Sequence, residues 1–230
     1  MKSARTIGVL FEDDDILVVD KPAGMIVHSA PGHEEESLAG LLAASRPQMA
    51  SVGSRERPGV VHRLDIDTSG VMVFAKSRRA YEGLRAAFES HDGVVKTYLA
   101  VLHGAIKPAT GTLETTIGRK PWDAKRMAVD VPGGKLAVTR WTVLERRGPL
   151  ALVEFVIETG RTHQIRVHAA HLGHPIAGDA LYGDAAKDRR LASPPCRQLL
   201  HAVQLEFRHP STGRAMRFAA PPPNDIIYAR

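Results

Sequence analysis

Val61-His62-Arg63-Leu64-Asp65-Ile66-Asp67-Thr68-Ser69-Gly70-Val71-Met72-Val73-Phe74 sets an arginine and two carboxylates into a polar break between apolar runs. Val60 and Val61 before the break and Val71 to Phe74 after it are β-branched, apolar or aromatic and bounded by turn formers. Both flanks therefore read as strands, and the polar residues as a short loop mounted on a sheet. The two carboxylates differ. Asp67-Thr68-Ser69-Gly70 has the chemistry of a tight turn, with an Asp that bonds nearby backbone and a Gly free to take positive φ, so Asp67 reads as structural. Asp65 follows Arg63 by two residues and lies between Leu64 and Ile66, where an ionised carboxylate is partly desolvated and calls for a cationic partner. An exposed loop carboxylate paired with its neighbour is the plainer alternative, and this stretch alone does not overturn it.

A second polar constellation follows the buried strand read at Leu150 to Ile157. It runs Gly160-Arg161-Thr162-His163-Gln164-Ile165-Arg166-Val167-His168-Ala169-Ala170-His171-Leu172-Gly173-His174-Pro175-Ile176-Ala177-Gly178-Asp179. The chain is expected to turn at Gly160 into a helix with Thr162 near its start. Ile165, Ala169 and Leu172 then face the core at helical spacing, Gly173 closes the helix ahead of Pro175, and Arg166 stands on the margin of the buried face. His163, His168, His171 and His174 crowd this segment, and His171 with His174 has the spacing of ligands on adjacent turns. No Cys or carboxylate lies among them before Asp179, and nothing matches the glutamate-bearing His motif of zinc hydrolases, so no metal site is expected. His163 and His168 read as braces, His62 as an orienting residue for the Asp65 loop, and His201 as a core histidine.

With Gly173-His174-Pro175-Ile176, Gly178-Asp179 and Tyr182-Gly183, these two stretches resemble the RluA branch of the RNA pseudouridine synthases. The resemblance extends to Ile16-Leu17-Val18-Val19-Asp20-Lys21-Pro22-Ala23-Gly24-Met25, to Lys96-Thr97-Tyr98, and to Leu200-His201-Ala202 with His209-Pro210. Short strings in one order along a single chain make coincidence improbable. The resemblance implies that Asp65 is the catalytic aspartate, that Tyr98 packs against the target uracil, that Arg166 is the basic partner of the aspartate, and that Arg63 helps to evict the base. His62, Arg161, His163 and Gln164 join Arg63 as expected substrate-binding residues. It also implies the pseudouridine synthase fold, an α+β architecture with a mixed, largely antiparallel, bent sheet flanked by helices around a central catalytic cleft. Residues 1–230 are expected to form a single catalytic domain with room for two lobes about that cleft. Because the first strand begins within the opening ten residues, no RNA-binding domain is expected ahead of it.

The reaction implied by the resemblance breaks the bond between ribose and ring nitrogen, turns the detached uracil and rejoins it through carbon, with no cofactor. Asp65 must be ionised, whether it acts covalently or takes a proton, and the sequence leaves both routes open. Arg166 beside it would hold it charged. A stacked uridine must first be turned out of its helix, and the planar guanidinium of Arg63 suits the space it leaves. The partner is expected to be an RNA, a transfer RNA or ribosomal RNA stem-loop, met by a cytoplasmic monomer.

Charge and composition agree. The formal net charge of the 230 residues is +6, a basic excess compatible with phosphate contacts. Gly118-Arg119-Lys120-Pro121-Trp122-Asp123-Ala124-Lys125-Arg126 mixes cations with an aromatic, and Val129 to Val138 reads as a hairpin turning at Gly133-Gly134. A single cysteine, Cys196, excludes an internal disulfide. Met1 to Arg5 lacks the apolar core of a signal peptide, and no run is long enough to span a bilayer. Helices are expected over Ser37 to Ala44 and over Arg78 to Phe88, the latter with Ser77 as N-cap and Tyr81, Leu84 and Phe88 as its buried stripe. Loops are expected at Ala30 to Glu36, Ser51 to Pro58, Asp184 to Pro195 and Pro221 to Pro223. Two rival readings remain: a binding module would not need Asp65, and a hydrolase with paired carboxylates would need Asp67 to converge with Asp65.

Overall fold

The computed structural model describes residues 7–29 and 36–229. The loop expected at Ala30 to Glu36 lies outside the described residues except for Glu36, as does the opening Met1 to Arg5. The chain forms two compact units, one of residues up to 94 together with 203–221, the other of residues 95–202 together with those after 221.

In the first unit β1 (Gly8–Glu12) and β2 (Ile16–Lys21) make an antiparallel pair. There follow α1 (Leu38–Ser45), the small hairpin of β3 (Gly53–Ser54) and β4 (Arg57–Pro58), β5 (Ser69–Ala75) and α2 (Arg78–Ser90). β5 is buried along its whole length and pairs with β2, of which only Asp20 escapes full burial. Such unbroken apolar strands are covered on both faces. Ile16, Val18, Val71 and Val73 pack with Ala80 and Leu84 of α2 and with Leu205 and Phe207. Both expected helices form, each one or two residues longer at its C-terminal end. Ser37 caps α1 by accepting from the Gly40 N–H, and Ser77 caps α2 by accepting from Ala80, since each hydroxyl satisfies a donor that the first turn leaves without a partner. The expected strand at Val60 and Val61 is reduced to a single bridge between Val60 and Phe74. The polar residues after it bend the chain away before a second rung is made.

The second unit holds β6 (Val95–His103), β7 (Thr110–Arg119), β8 (Met127–Val129), β9 (Lys135–Arg147) and β10 (Leu150–Ile157). They pair antiparallel in the order β6-β10-β9-β7-β8. After them come α3 (Gln164–His171) and α4 (Ala185–Asp188). β11 (Leu200–Arg208) leads the chain back into the first unit, where it pairs with β12 (Ala215–Ala219), and a closing turn of helix, α5 (Asn224–Ile227), ends the described chain.

The hairpin expected at Val129 to Val138 is corrected in its partners. Its turn is present, closed by the Gly134 N–H donating to the Val131 carbonyl with Gly133 at φ 74, the geometry that Pro-Gly at the corners favours. β8 and β9 do not pair with each other. They lie on opposite edges of β7, and the turn crosses over β7 at Gly118, where an added Cβ would come within 2.7 Å of Val131 and 3.1 Å of Gly134. Alternation of residue types cannot report such a crossing.

α3 departs from the amphipathic helix expected. Gln164, Ile165, Arg166, Val167, His168 and Ala169 are all buried. The polar members are tied to the sheet beneath: His168, 0% exposed, shares hydrogen bonds with Thr139 Oγ1 at 2.9 Å and Thr115 Oγ1 at 3.0 Å. Burial first, and then the neighbouring His171, push the His168 pKa down to about 4 from 6.5. No helix among the described residues is long and apolar enough to cross a membrane.

Because the unfolded chain binds a proton on His168 that the fold refuses, stability must fall as pH drops from 6.5 towards 4 and then level off. The shift corresponds to at most about 3–4 kcal/mol, at ~1.4 kcal/mol per unit. Denaturant unfolding between pH 7 and 4 should show a shallower decline for His168→Gln than for the wild type; equal slopes would remove His168 as the cause.

Candidate active site

In the first unit the Asp65 loop is held by one carbonyl group. The Ile66 C=O accepts from Lys21 Nζ at 2.8 Å, from the Gly24 N–H at 2.9 Å and from the Met25 N–H at 3.3 Å. Lys21 is 0% exposed, and its ammonium also donates to the Pro22 carbonyl at 2.9 Å. The Thr68 N–H closes a turn onto the Asp65 carbonyl at 3.1 Å, with Ile66 and Asp67 at the corners. Leu64 is buried and Ile66 is 40% exposed, so only one apolar flank is packed into the unit. Asp65 itself is half-buried and Arg63 is exposed. His62 is a brace. Its Nε2 accepts from the Val73 N–H at 3.1 Å, and its ring stacks on Phe88 with centroids 4.5 Å apart and planes 9° from parallel. Arg63, in contrast, makes no hydrogen bond or ion pair among the described residues.

In the second unit Tyr98 is buried on β6 opposite Phe155 of β10. Along the same strand Lys96 pairs with Ile157, and Ile157 with Thr139. Directly opposed residues project to one face and residues two apart share it, so Lys96, Tyr98 and Thr139 share a face. α3 lies over that face, because Gln164 and His168 both bond to Thr139 Oγ1. Arg166, 6% exposed, meets Asp179 through two parallel hydrogen bonds, Nε to Oδ2 at 2.7 Å and Nη2 to Oδ1 at 2.8 Å. Burial works to raise the Asp179 carboxyl, but the Arg166 guanidinium and the backbone N–H groups of Tyr182 and Leu181 outweigh it and hold the group below the ordinary range. The Tyr182 ring lies 5.2 Å from the Arg166 guanidinium, and its hydroxyl bonds His163 Nδ1 at 2.8 Å.

Gln164 uses its whole amide within the protein. Oε1 accepts from Thr159 Oγ1 at 2.8 Å and from the Arg161 N–H at 3.0 Å, while Nε2 donates to the Val138 carbonyl at 3.0 Å and to Thr139 Oγ1 at 2.9 Å. That fixes the bend between β10 and α3. Arg161 is half-buried and donates to the Leu136 carbonyl at 2.8 Å. The histidines of the segment go to separate partners: His163 to Tyr182, His168 to the two threonines, and His174 to the His103 carbonyl. No group of three or more His, Cys, Asp or Glu is placed to hold a metal among the described residues.

A family model described as RNA pseudouridylate synthase matches residues 15–171, which span the Asp65 loop, Tyr98 and all of α3. A protein named as an uncharacterized RNA pseudouridine synthase in Synechocystis is 40% identical over 97% of this chain and 69% of its own length. The chain belongs to the RNA pseudouridine synthase family. Ribosomal large subunit pseudouridine synthase D of Neisseria meningitidis serogroup B is 43% identical over 96% of this chain, which spans 60% of that protein's length. Human RNA Pseudouridylate Synthase Domain Containing 1 superposes with a TM-score of 0.75 over 96% of this chain and 86% of its own, at 28% identity. The α+β fold and the family expected from the motifs are thus those of the chain, and its relatives are isomerases acting on RNA.

Within this pseudouridine synthase, three residues of consequence escaped the sequence reading. Asp179 carries a local signal, since it stands before Leu181 and Tyr182 and accepts from their N–H groups at 2.9 and 3.0 Å, a turn signature. Lys21 reads as a strand-end lysine and is fully buried. Lys96 is 6% exposed, and burial together with the Arg161 charge push its pKa down to about 8. At the far end of β7, Trp122 is fully exposed at φ 64 in the turn between β7 and β8, among Arg119, Lys120, Lys125 and Arg126.

Removing one partner of a buried ion pair strands the other, at a cost of about 3–5 kcal/mol. Asp179→Ala should lose that much unfolding free energy in urea, and the double variant Arg166→Met with Asp179→Leu should recover part of it. A loss below about 1 kcal/mol for Asp179→Ala would show that Arg166 does not depend on this carboxylate.

Proposed function

We propose that this chain converts specific uridines of folded RNA to pseudouridine, with Asp65 as the catalytic carboxylate and Tyr98 and Arg166 acting on the same nucleotide. The observation that carries this reading is the mounting of the Asp65 loop. A half-buried carboxylate sits beside a carbonyl gripped by three donors, next to an arginine that has no partner among the described residues. Rigid presentation of one reacting group is what positioning catalysis requires. The two units form one catalytic domain in this proposal, acting in the cytoplasm as a monomer and without a cofactor.

Asp65 either attacks C1′ of the ribose, holding the sugar covalently while the uracil turns, or takes a proton from the ribose; both routes need the carboxylate ionised. Arg166, held by Asp179, is on this reading the cationic partner that keeps Asp65 charged. Tyr98 gives the freed uracil a flat surface. Arg63 fills the gap left in the RNA stack. Arg161 and His163 border the substrate, while His62 and Gln164 serve by holding their loops. The basic turn bearing Trp122 lies along the RNA backbone, where cations and an exposed ring suit phosphates and unpaired bases.

Relatives from Neisseria and Xanthomonas carry the name ribosomal large subunit pseudouridine synthase D, which puts a stem-loop of ribosomal RNA first among the substrates. Transfer RNA is the second. Mapping pseudouridines in total RNA from cells with and without the protein separates them.

Asp65→Asn should abolish pseudouridine formation while RNA affinity stays within about threefold of the wild type; unchanged turnover would refute the assignment. Arg63→Ala should slow turnover on a structured stem-loop by about tenfold or more and on an unstructured RNA far less, as flipping costs roughly a few kcal/mol only where the base is stacked. Equal losses on both substrates would remove the eviction role.

A further inference from the structure

Lys96 is a buried cation that the protein itself leaves half used. Its side chain is 6% exposed, and its ammonium makes one hydrogen bond, to the Thr159 carbonyl at 3.2 Å. An ammonium carries three donors. Among the described residues no carboxylate reaches it. The charge that acts on it is another cation, Arg161, and Glu158 on the same bend is exposed and paired with Arg140. Burying a charge without a counter-charge disfavours the fold, so the arrangement makes sense if the missing acceptor arrives with a ligand. There is room for it. Gly160, exposed, brings no side chain to the position 3.7 Å from Nζ where one would stand.

The place of Lys96 indicates which ligand atom. Lys96 and Tyr98 project from one face of β6, with backbones about 7 Å apart at ~3.3 Å per residue. A phosphate is bulky and strongly hydrated and suits an exposed rim. A deeply set ammonium beside a strand suits the flat edge of a base. On the reading that Tyr98 holds the target uracil, we propose that Lys96 is a further catalytic residue: it donates to a carbonyl oxygen of that uracil and stabilises the negative charge the ring gains when its bond to the ribose breaks.

The step balances without a co-reactant. The electron pair of the C1′–N1 bond leaves with N1 and spreads onto the ring oxygens, while C1′ bonds to the Asp65 carboxylate or the neighbouring C2′ gives its proton to it. C5 then bonds to C1′ as the Asp65–C1′ bond breaks or as Asp65 returns the proton to C2′, the proton on C5 departs, and N1 gains one. Lys96 transfers no proton; its hydrogen bond is strongest while the ring is anionic, which is the form of stabilisation that lowers a barrier.

The test uses the full chain and the RNA fragment in which the wild type forms pseudouridine, made with uridine, 2-thiouridine or 4-thiouridine at the target. Lys96→Met should leave affinity within about threefold and lower the single-turnover rate constant at saturating RNA by about 100-fold. One of the two thio substitutions should slow the wild type by about tenfold and Lys96→Met hardly at all, since sulfur is a poor acceptor. Melting of Lys96→Met should be no lower than that of the wild type. A wild type indifferent to both thio substitutions would overturn the proposal. So would weaker binding with a lower salt dependence and an unchanged rate at saturation, which would mark a phosphate contact. Failure here with Asp65→Asn inactive would remove Lys96 alone, whereas an active Asp65→Asn would remove the reading on which it rests.

Discussion

The carbonyl oxygen of Ile66 is the point on which the account turns. Three donors converge on it, one of them the ammonium of a lysine with no exposed surface. A backbone carbonyl has two lone pairs, so this one is saturated, and its peptide plane is fixed from the side of Lys21 and the Gly24–Met25 turn. That peptide joins Ile66 to Asp67, one residue beyond Asp65, and the Thr68 N–H donating to the Asp65 carbonyl ties Asp65 into the same turn. His62, bonded to Val73 and stacked on Phe88, holds the other end.

The second unit applies the same device to α3. A helix with Gln, Arg and His buried in succession is unfavourable unless each polar group is satisfied, and each is. Gln164 is bonded by two threonine hydroxyls and two backbone groups, Arg166 by the Asp179 carboxylate, and His168 by Thr115 and Thr139. Against that saturated background, Lys96 makes one long hydrogen bond and Arg63 none among the described residues, which is why each is proposed to meet the RNA.

The Asp65 loop was legible because its signal is local: a polar break between β-branched runs, with turn chemistry at Asp67 to Gly70. The capped helices were legible for the same reason, since Ser37 and Ser77 act within one turn of themselves. The burial of α3 was not. Arg166 and His168 are satisfied by partners 13 to 53 residues away, and no periodicity records a distant threonine or aspartate. The crossing of the 131–134 turn over β7 was hidden likewise, because it depends on the missing side chain of Gly118 and not on any pattern of strand residues.

The most direct test is a crystal structure of the Asp65→Asn variant bound to the RNA fragment carrying the mapped uridine. That nucleotide should be turned out of its helix, with the side chain at position 65 within about 3.5 Å of its ribose, the near-attack range, and the ring against Tyr98. A target nucleotide still stacked in its helix, or a ribose more than about 6 Å from position 65, beyond any near-attack geometry, would contradict it.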